Sequence, residues 1–397
     1  MSAKICFITP NHISSNPRLI KEVRASLAHE YEVHIIFMQN LAYLKLEDQK
    51  ILDQNPKISY DIIKPKFFTK LLHKLCLAVI KKSGIARYQE FIYSKAYFEF
   101  LKKAQQWKAD IYIAHNLASL PIAVKAAEKN KAKSGFDAED FHRNETSDDL
   151  ESFDVKLKTF IEDKYLTQVD YITCASPLIA ESYKTLYPNL DPIVINNVFE
   201  LKYQPILNKH EGYGIKLFWF SQTIGRDRGL EDIIEAVKQI NNPLVELHLL
   251  GSINKTDLRY FDILSNFKIN YHPPVSGVKI FELASNFDVG LALERKKPFN
   301  RNICLTNKIF TYMISGLAVI ASDTLAQRAF LEENQEIGFI YETANIHQLR
   351  SHIEMLLNEK GRLSDIKRNA YQLAKTKYNW ENEARLFINL VRKTLYH

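Results

Sequence analysis

Short apolar runs alternate with amphipathic stretches along the whole chain. In the first half the apolar runs fall at residues 4–9, 32–37, 110–114, 136–141, 171–175 and 192–195. In the second half they recur at 215–220, 245–251, 269–274, 289–293 and 317–321. Each is four to seven residues long, the length of a strand buried on both faces. The stretches between them carry apolar residues at helical spacing, as with Leu19, Ile20, Val23 and Leu27. Strand and helix in strict alternation predict α/β architecture with parallel, doubly wound sheets. A chain of 397 residues exceeds one ordinary core. The pattern lapses between Asn196 and Gly214, where polar residues mix with Pro205 and two glycines. The expected division is a first domain at 1–198, a linker at 199–214 and a second domain at 215–375. An amphipathic helix at 376–397, with Ala384, Phe387 and Leu390 on one face, is expected to pack back toward the first domain.

The most regular stretch is 288–323. Val289 to Leu293 reads as a strand, Glu294 to Asn302 as a polar loop holding Pro298. Thr306 or Asn307 can cap a helix that runs through Ile309, Phe310, Thr311 and Met313 and stops at Gly316. In a parallel sheet the loop after a strand lies at the carboxyl edge, where ligands bind. A helix beginning there turns free N–H groups on that edge, and Lys308 stands in its first turn. That describes an anion site suited to phosphate. It also describes an ordinary strand–helix–strand unit with a solvated lysine, and this stretch alone leaves both open. A second loop of the same kind follows the strand at 215–220. Gly225 and Gly229 permit a tight turn, and Arg226 and Arg228 emerge just ahead of a helix at 230–240. An arginine fork grips phosphate bidentately. Two such loops in one domain suit a nucleotide diphosphate.

The first half is less explicit. His12, Ser14 and Asn16 follow the first strand, and Asn16-Pro17 reads as a helix cap and first position. These groups either face a crevice or serve as turn and cap residues. His115 and Asn116 close the strand at 110–114. Asp137, Glu139, Asp140 and His142 crowd into six residues, with Arg143 and Glu145 beyond. That density is too polar for a core. It fits recognition of sugar hydroxyls or general acid–base work, or else a solvated loop.

Composition narrows the classes. Hydrophobic residues make up 46% of the chain, as in soluble globular proteins. The net charge of +7 is mild, but between Lys64 and Arg87 there are seven Lys or Arg residues and no acid. Phe67, Phe68, Leu71, Leu72, Leu75 and Val79 recur there at helical spacing. Such a helix lies in an anionic membrane surface, or packs on its domain with a solvated basic face. Nucleic acid is not expected, because no second basic stripe accompanies it. Cys6, Cys76, Cys174 and Cys304 are dispersed without metal-ligand spacing, which points to reduced thiols and a cytoplasmic setting, peripheral to the membrane's inner face if the basic stretch docks there. The chain holds neither G-x-G-x-x-G nor G-x-x-x-x-G-K, which disfavours nicotinamide and P-loop chemistry. Asp-x-Asp is also absent, so no metal is expected at the site.

The segments FWFSQTIGRDRGLEDII and NRNICLTNKIFTYMISGLAVIASD, with NHISSNPR, DIYIAHN and FDAEDFH, give the chain a resemblance to the group 1 (family 4) glycosyltransferases. The resemblance extends over nearly the whole chain. It implies the glycosyltransferase-B fold, two Rossmann-like domains facing a central cleft. It implies a retaining, metal-independent enzyme with no cofactor, moving a sugar from a nucleotide-diphosphate donor on the second domain to a glycan or lipid-linked acceptor on the first. Cell-surface polysaccharide synthesis is the expected setting. By similarity Gly225, Arg226 and Arg228 hold the donor phosphates, while Thr306, Asn307 and Lys308 meet the diphosphate or ribose. Many members carry two glutamates seven residues apart around this helix. Here those positions are Ile303 and Thr311, so ribose contact at Thr311 needs another chemistry, and Glu294 is the nearest acid for the sugar. His115 and His142 are candidates to position acceptor or sugar. Two other readings of such a chain are a nucleotide-sugar epimerase and a non-catalytic sugar-binding homologue.

Overall fold

The computed structural model describes residues 2–64, 73–78, 89–207, 212–275 and 277–396. Most of the basic stretch from Lys64 to Arg87 therefore lies outside the described residues. Among those described, thirteen strands form two sheets, and every pairing is parallel. The chain divides into two compact units. One holds residues 1–196 and 384–397, the other residues 197–383.

The first unit contains β1 (Lys4–Thr9), β2 (Glu32–Met38), β3 (Ser59–Ile63), β4 (Ile111–His115), β5 (Lys133–Ala138), β6 (Tyr171–Cys174) and β7 (Ile193–Val194), in the order β3-β2-β1-β4-β5-β6-β7. The second contains β8 (Ile215–Thr223), β9 (Val245–Ser252), β10 (Ile269–His272), β11 (Val289–Ala292), β12 (Ala318–Ser322) and β13 (Gly338–Tyr341), ordered β10-β9-β8-β11-β12-β13. Both sheets therefore wind outward from a central pair, β1/β4 and β8/β11. The carboxyl ends of those pairs are the topological switch points, where an open parallel sheet binds ligand. The strands are hydrophobic runs because helices cover both faces. Ile5 to Ile8, Ile111 to Ala114 and Ala318 to Ala321 are almost wholly inaccessible.

The apolar pattern located most strands and missed two at sheet margins, β3 and β13. β3 has three of its five residues polar or tyrosine and exposes its first two positions, so no apolar run marks it. The run read at 136–141 is displaced: β5 starts at Lys133 and ends at Ala138, because polar Lys133 and Ser134 still pair with β4. The loop expected at 294–302 contains a short helix, Phe299–Ile303. The helix after it, Asn307–Ile314, ends at Gly316, which adopts φ +73°.

Candidate active site

The carboxyl edge of β8 and β11 gathers charged side chains from three loops. β8 runs into the turn at 224–229, which opens the helix Leu230–Ile240. The glycine this turn requires is Gly229 rather than Gly225. Gly229 adopts φ +78°, and a Cβ there would lie 2.7 Å from Leu293 Cβ and 2.8 Å from its carbonyl oxygen. Gly225 faces open space apart from Asp257 at 3.9 Å. The close approach of Gly229 sets the β8 turn against the end of β11, one residue before Glu294. Arg228 is then fixed by donating from Nη1 to Ser221 Oγ at 2.7 Å.

The helix Asn307–Ile314 sits equally close. Gly290 in β11 has no side chain, and a Cβ there would come within 2.1 Å of the Tyr312 ring. Tyr312 is buried beneath the helix and donates its hydroxyl to the Leu291 carbonyl at 2.9 Å. This packing brings the first turn of the helix over the strand end. Lys308 Nζ meets Glu294 Oε1 at 2.5 Å, with side-chain exposures of only 16% and 19%. The same ammonium lies 5.8 Å from the centre of the buried Trp219 ring. The Glu294 backbone is held by Ser322, whose hydroxyl donates to the Glu294 carbonyl at 2.7 Å. Burial alone would raise the Glu294 pKa. Lys308, then Arg301 and Arg228, more than offset it, so the carboxyl titrates below its ordinary range.

Arg228, Lys308 and Glu294 are thus brought together. Thr306 occupies the N-cap position of the helix, yet its side chain makes no cap hydrogen bond and its Oγ1 is buried without a partner. Asn307 begins the helix and is exposed. Two of the residues expected at this site are placed otherwise. Arg226 is turned aside, its guanidinium 4.2 Å above the Tyr260 ring and its Nε 3.1 Å from Asp257 on the helix Lys255–Leu264. Thr311 is buried, and its hydroxyl donates back to the Asn307 carbonyl at 2.9 Å. One helical turn below the cap, it cannot substitute for an exposed acid. Arg301 escaped the sequence reading because it stands in a loop of mixed polarity. It is exposed, on the short helix Phe299–Ile303.

The first unit also collects charge at its switch point, but the arrangement is closed. Arg18, Glu22, His115 and Asp137 are each buried. Arg18 donates from Nε and Nη2 to the two oxygens of Asp137 at 2.6 and 2.7 Å, and from Nη1 to the Ile195 carbonyl at 2.5 Å. Thr173 donates to Asp137 at 2.7 Å. His115 Nε2 meets Glu22 Oε2 at 3.1 Å. Its Nδ1 lies 3.3 Å from Asp137 and 3.5 Å from Glu139, within ion-pair reach but out of line for a hydrogen bond. Burial would lower the His115 pKa, but Glu22, Asp137 and Glu139 raise it well above the ordinary value. Glu22 titrates high, because burial outweighs His115. The oxygens and nitrogens of Glu22, His115 and Asp137 lie within 4.8 Å of one another, as a metal site requires. Arg18 and Thr173 already donate to the Asp137 oxygens, and the Arg18 guanidinium is itself a cation against that carboxylate, so the cluster does not fit a second cation.

His115 and His142 are therefore corrected as ligand-facing groups. His115 does stand at the end of β4, but its ring touches protein carboxylates on both sides. His142 is buried, with Nδ1 3.4 Å from Glu145 and Nε2 without a partner. The cluster at the end of β5 is divided: Glu139, Asp140 and Glu145 stay partly exposed, while other members turn inward. Asp137 belongs to the core, and Arg143 is bound through Nε to the buried Glu162 at 2.5 Å. His12 likewise turns inward. Its Nε2 accepts from the Asn40 and Leu41 backbone, leaving Nδ1–H to donate to Asp48 at 2.6 Å. Asn16 caps the helix Pro17–Ala28 and also donates to Glu139 at 2.7 Å.

Residues 226–389 match a family model described as "Glycosyl transferase-like". No curated protein matches the sequence. Solved structures with similar folds include HepE of Anabaena in complex with UDP-glucose, at 13% identity and TM-score 0.71, covering 98% of this chain and 100% of that one. A glycosyltransferase from Rickettsia africae ESF-5 is 14% identical with TM-score 0.72, covering 100% and 99%. A mutant of S. aureus TarM, in complex with fondaparinux, alpha-GlcNAc-glycerol and UDP, is 13% identical with TM-score 0.70, covering all of both chains. The family match spans the end of the β8 turn and the helix that carries Lys308, and the fold shared with these solved structures from end to end is the glycosyltransferase-B fold.

Proposed function

We propose that this enzyme moves a sugar, with retention of anomeric configuration, from a nucleotide-diphosphate sugar to a glycan or lipid-linked acceptor. The observation that carries the reading is the meeting of Arg228, Lys308 and Glu294 with an open helix start at the second switch point. The donor diphosphate lies against Arg228, Lys308 and the N–H groups of Asn307–Ile314. As the bond from the anomeric carbon to the phosphate oxygen breaks, negative charge grows on the departing diphosphate. Fixed cations and a helix dipole stabilise that charge without reorganising. They supply it from side chains, so the transfer is proposed to be metal-independent. Glu294, pinned by Lys308 and Ser322, faces the sugar. The nucleotides named with HepE and TarM support a nucleoside-diphosphate leaving group, and the TarM ligands support a glycan acceptor.

The setting we infer is the synthesis of cell-surface polysaccharide, with the protein at the inner face of a membrane through the basic stretch between Lys64 and Arg87. No helix among the described residues is long and apolar enough to cross a membrane. Incubating the protein with a panel of nucleotide sugars, with and without cell-envelope extract, tests the transfer. Acceptor-dependent release of nucleoside diphosphate with an anomer-retained product is expected. Donor consumed without acceptor to give an epimerised sugar would replace the proposal with epimerisation, and donor bound but never consumed would replace it with sugar binding. Vesicle sedimentation with anionic lipid, expected to weaken with salt, tests the membrane contact.

A further inference from the structure

Residues 41–46 read LAYLKL, five apolar side chains in six positions. A run so apolar ordinarily turns inward. Here every residue but Leu44 is exposed, Tyr43 by 73% and Leu46 by 74%. The run follows β2 at the carboxyl edge of the first sheet. It passes through a short 3-10 turn, Ala42–Leu44, into the helix Lys45–Asp53. A buried clamp holds it out. His12 Nε2 accepts from the Leu41 N–H at 2.9 Å, at one end of the run. Its Nδ1 donates to Asp48 at 2.6 Å, just beyond the other end. Asp48 is inaccessible and also accepts from the Ser14 N–H and hydroxyl, at 3.0 and 2.7 Å, and from Gln39 Nε2 at 3.2 Å. Polar groups at that depth must stay hydrogen-bonded, so the loop cannot fold back without orphaning them. The apolar tip is therefore a fixed feature of the surface.

Charge and size decide what covers it. Glu47 is paired with Lys50 at 2.7 Å and Asp48 lies inside, which leaves Lys45 as the charge beside the tip. Where β2 and β3 end together, the Gln39 N–H donates to the Ile63 carbonyl at 3.0 Å. From Ile63 the sequence runs on into 64–87, with its seven basic residues and no acid. The tip and the basic stretch thus leave the same sheet edge from adjacent strands, and a covering surface of opposite sign is anionic. Three side chains so exposed offer on the order of 300 Å², against the roughly 800 Å² that each partner gives to a stable protein interface. That small area suits a bilayer, which takes leucine and tyrosine at its interface while lysines meet the headgroups. We propose that Leu41, Tyr43 and Leu46 form a hydrophobic tip that inserts into an anionic membrane surface. The inference rests on the membrane reading above and adds to it a penetrating element, distinct from charge attraction. It sets toward the lipid the sheet edge that holds the first switch point, as a lipid-linked acceptor requires.

Sedimentation of the full-length protein with vesicles of phosphatidylglycerol and phosphatidylcholine in equal parts, at low and high salt, tests this. The double variant Tyr43→Ser, Leu46→Ser is expected to partition roughly tenfold more weakly at low salt, and to lose the binding that the wild type keeps at high salt. Leu46→Phe should bind like the wild type, since it keeps the tip apolar. The thermal midpoint should not move in either variant, because the replaced side chains are exposed. A double variant that matches the wild type at both salt levels would overturn the tip while leaving the electrostatic contact standing. A wild-type protein that binds no vesicles even at low salt would bring down the membrane reading and this inference together. Dimerisation of the wild type in sedimentation velocity, abolished in the double variant, would overturn the proposal by giving the tip to a second copy of the chain.

Discussion

The two switch points of this protein share a topology and differ in what their charges are for. Around β1 and β4, Arg18, Glu22, His115 and Asp137 are buried and satisfy one another almost completely. Around β8 and β11, Lys308 and Glu294 retain partial exposure and Arg228 leans on a neutral hydroxyl. A buried charge without a partner costs several kcal/mol, so a core can keep ions only as closed sets. An edge that meets solvent can hold a surplus, and a surplus attracts a ligand of the opposite sign. Titratable side chains at a switch point are therefore not a site in themselves. The sign left over after internal pairing distinguishes a brace from a binding surface.

Three experiments would break or sharpen that contrast. The largest effect is expected at the closed set. Asp137→Ala leaves the Arg18 guanidinium buried without its carboxylate and should destabilise the first unit by about 3–5 kcal/mol, read by chemical denaturation. A loss well under 1 kcal/mol would mean that water reaches this network and that it is not a closed core set.

At the open edge the expected effect falls on rate. Arg228→Ala should lower sugar transfer by about 10²–10³ with little loss of stability, the scale of removing one preorganised charge-stabilising donor. Arg226→Ala should cost much less, because that guanidinium is stacked on Tyr260 and paired with Asp257. Steady-state rates with saturating donor compare the two. Equal losses would show that Arg226 leaves Tyr260 when donor binds.

The smallest effect is on pH dependence, and its sign differs between the two regions. Glu294 has a depressed folded pKa. The stability it contributes is complete above the ordinary carboxylate range and is lost as pH falls through its lower folded value. His115 has a raised folded pKa. Its contribution is complete below the ordinary imidazole range and is lost as pH rises through its higher folded value. Melting curves across pH should therefore show Glu294→Gln flattening the acid limb by about 2–4 °C for each kcal/mol removed, with the alkaline limb untouched. A change confined to the alkaline limb would refute the assignment.

The chain's own pattern determined the architecture because parallel strands buried on both faces must be apolar runs, and the helices covering them must be amphipathic. It also marked, in the second unit, the side chains that gather at the switch point. Lys308 after a capping position, and Arg228 before Gly229, depend on local spacing that survives in one dimension. It failed where partners come from far away in the chain. Asp137 read as too polar for a core because Arg18, which neutralises it, lies 119 residues earlier. The helix Pro17–Ala28 had to pack across β4 and β5 before that pair could exist. The tertiary structure alone decided that Arg226 turns onto Tyr260 and that Thr311 closes on its own helix. Each depends on which groups packing brings within a few ångströms. Coulomb and hydrogen-bond energies fall away over that distance, and sequence separation does not measure it.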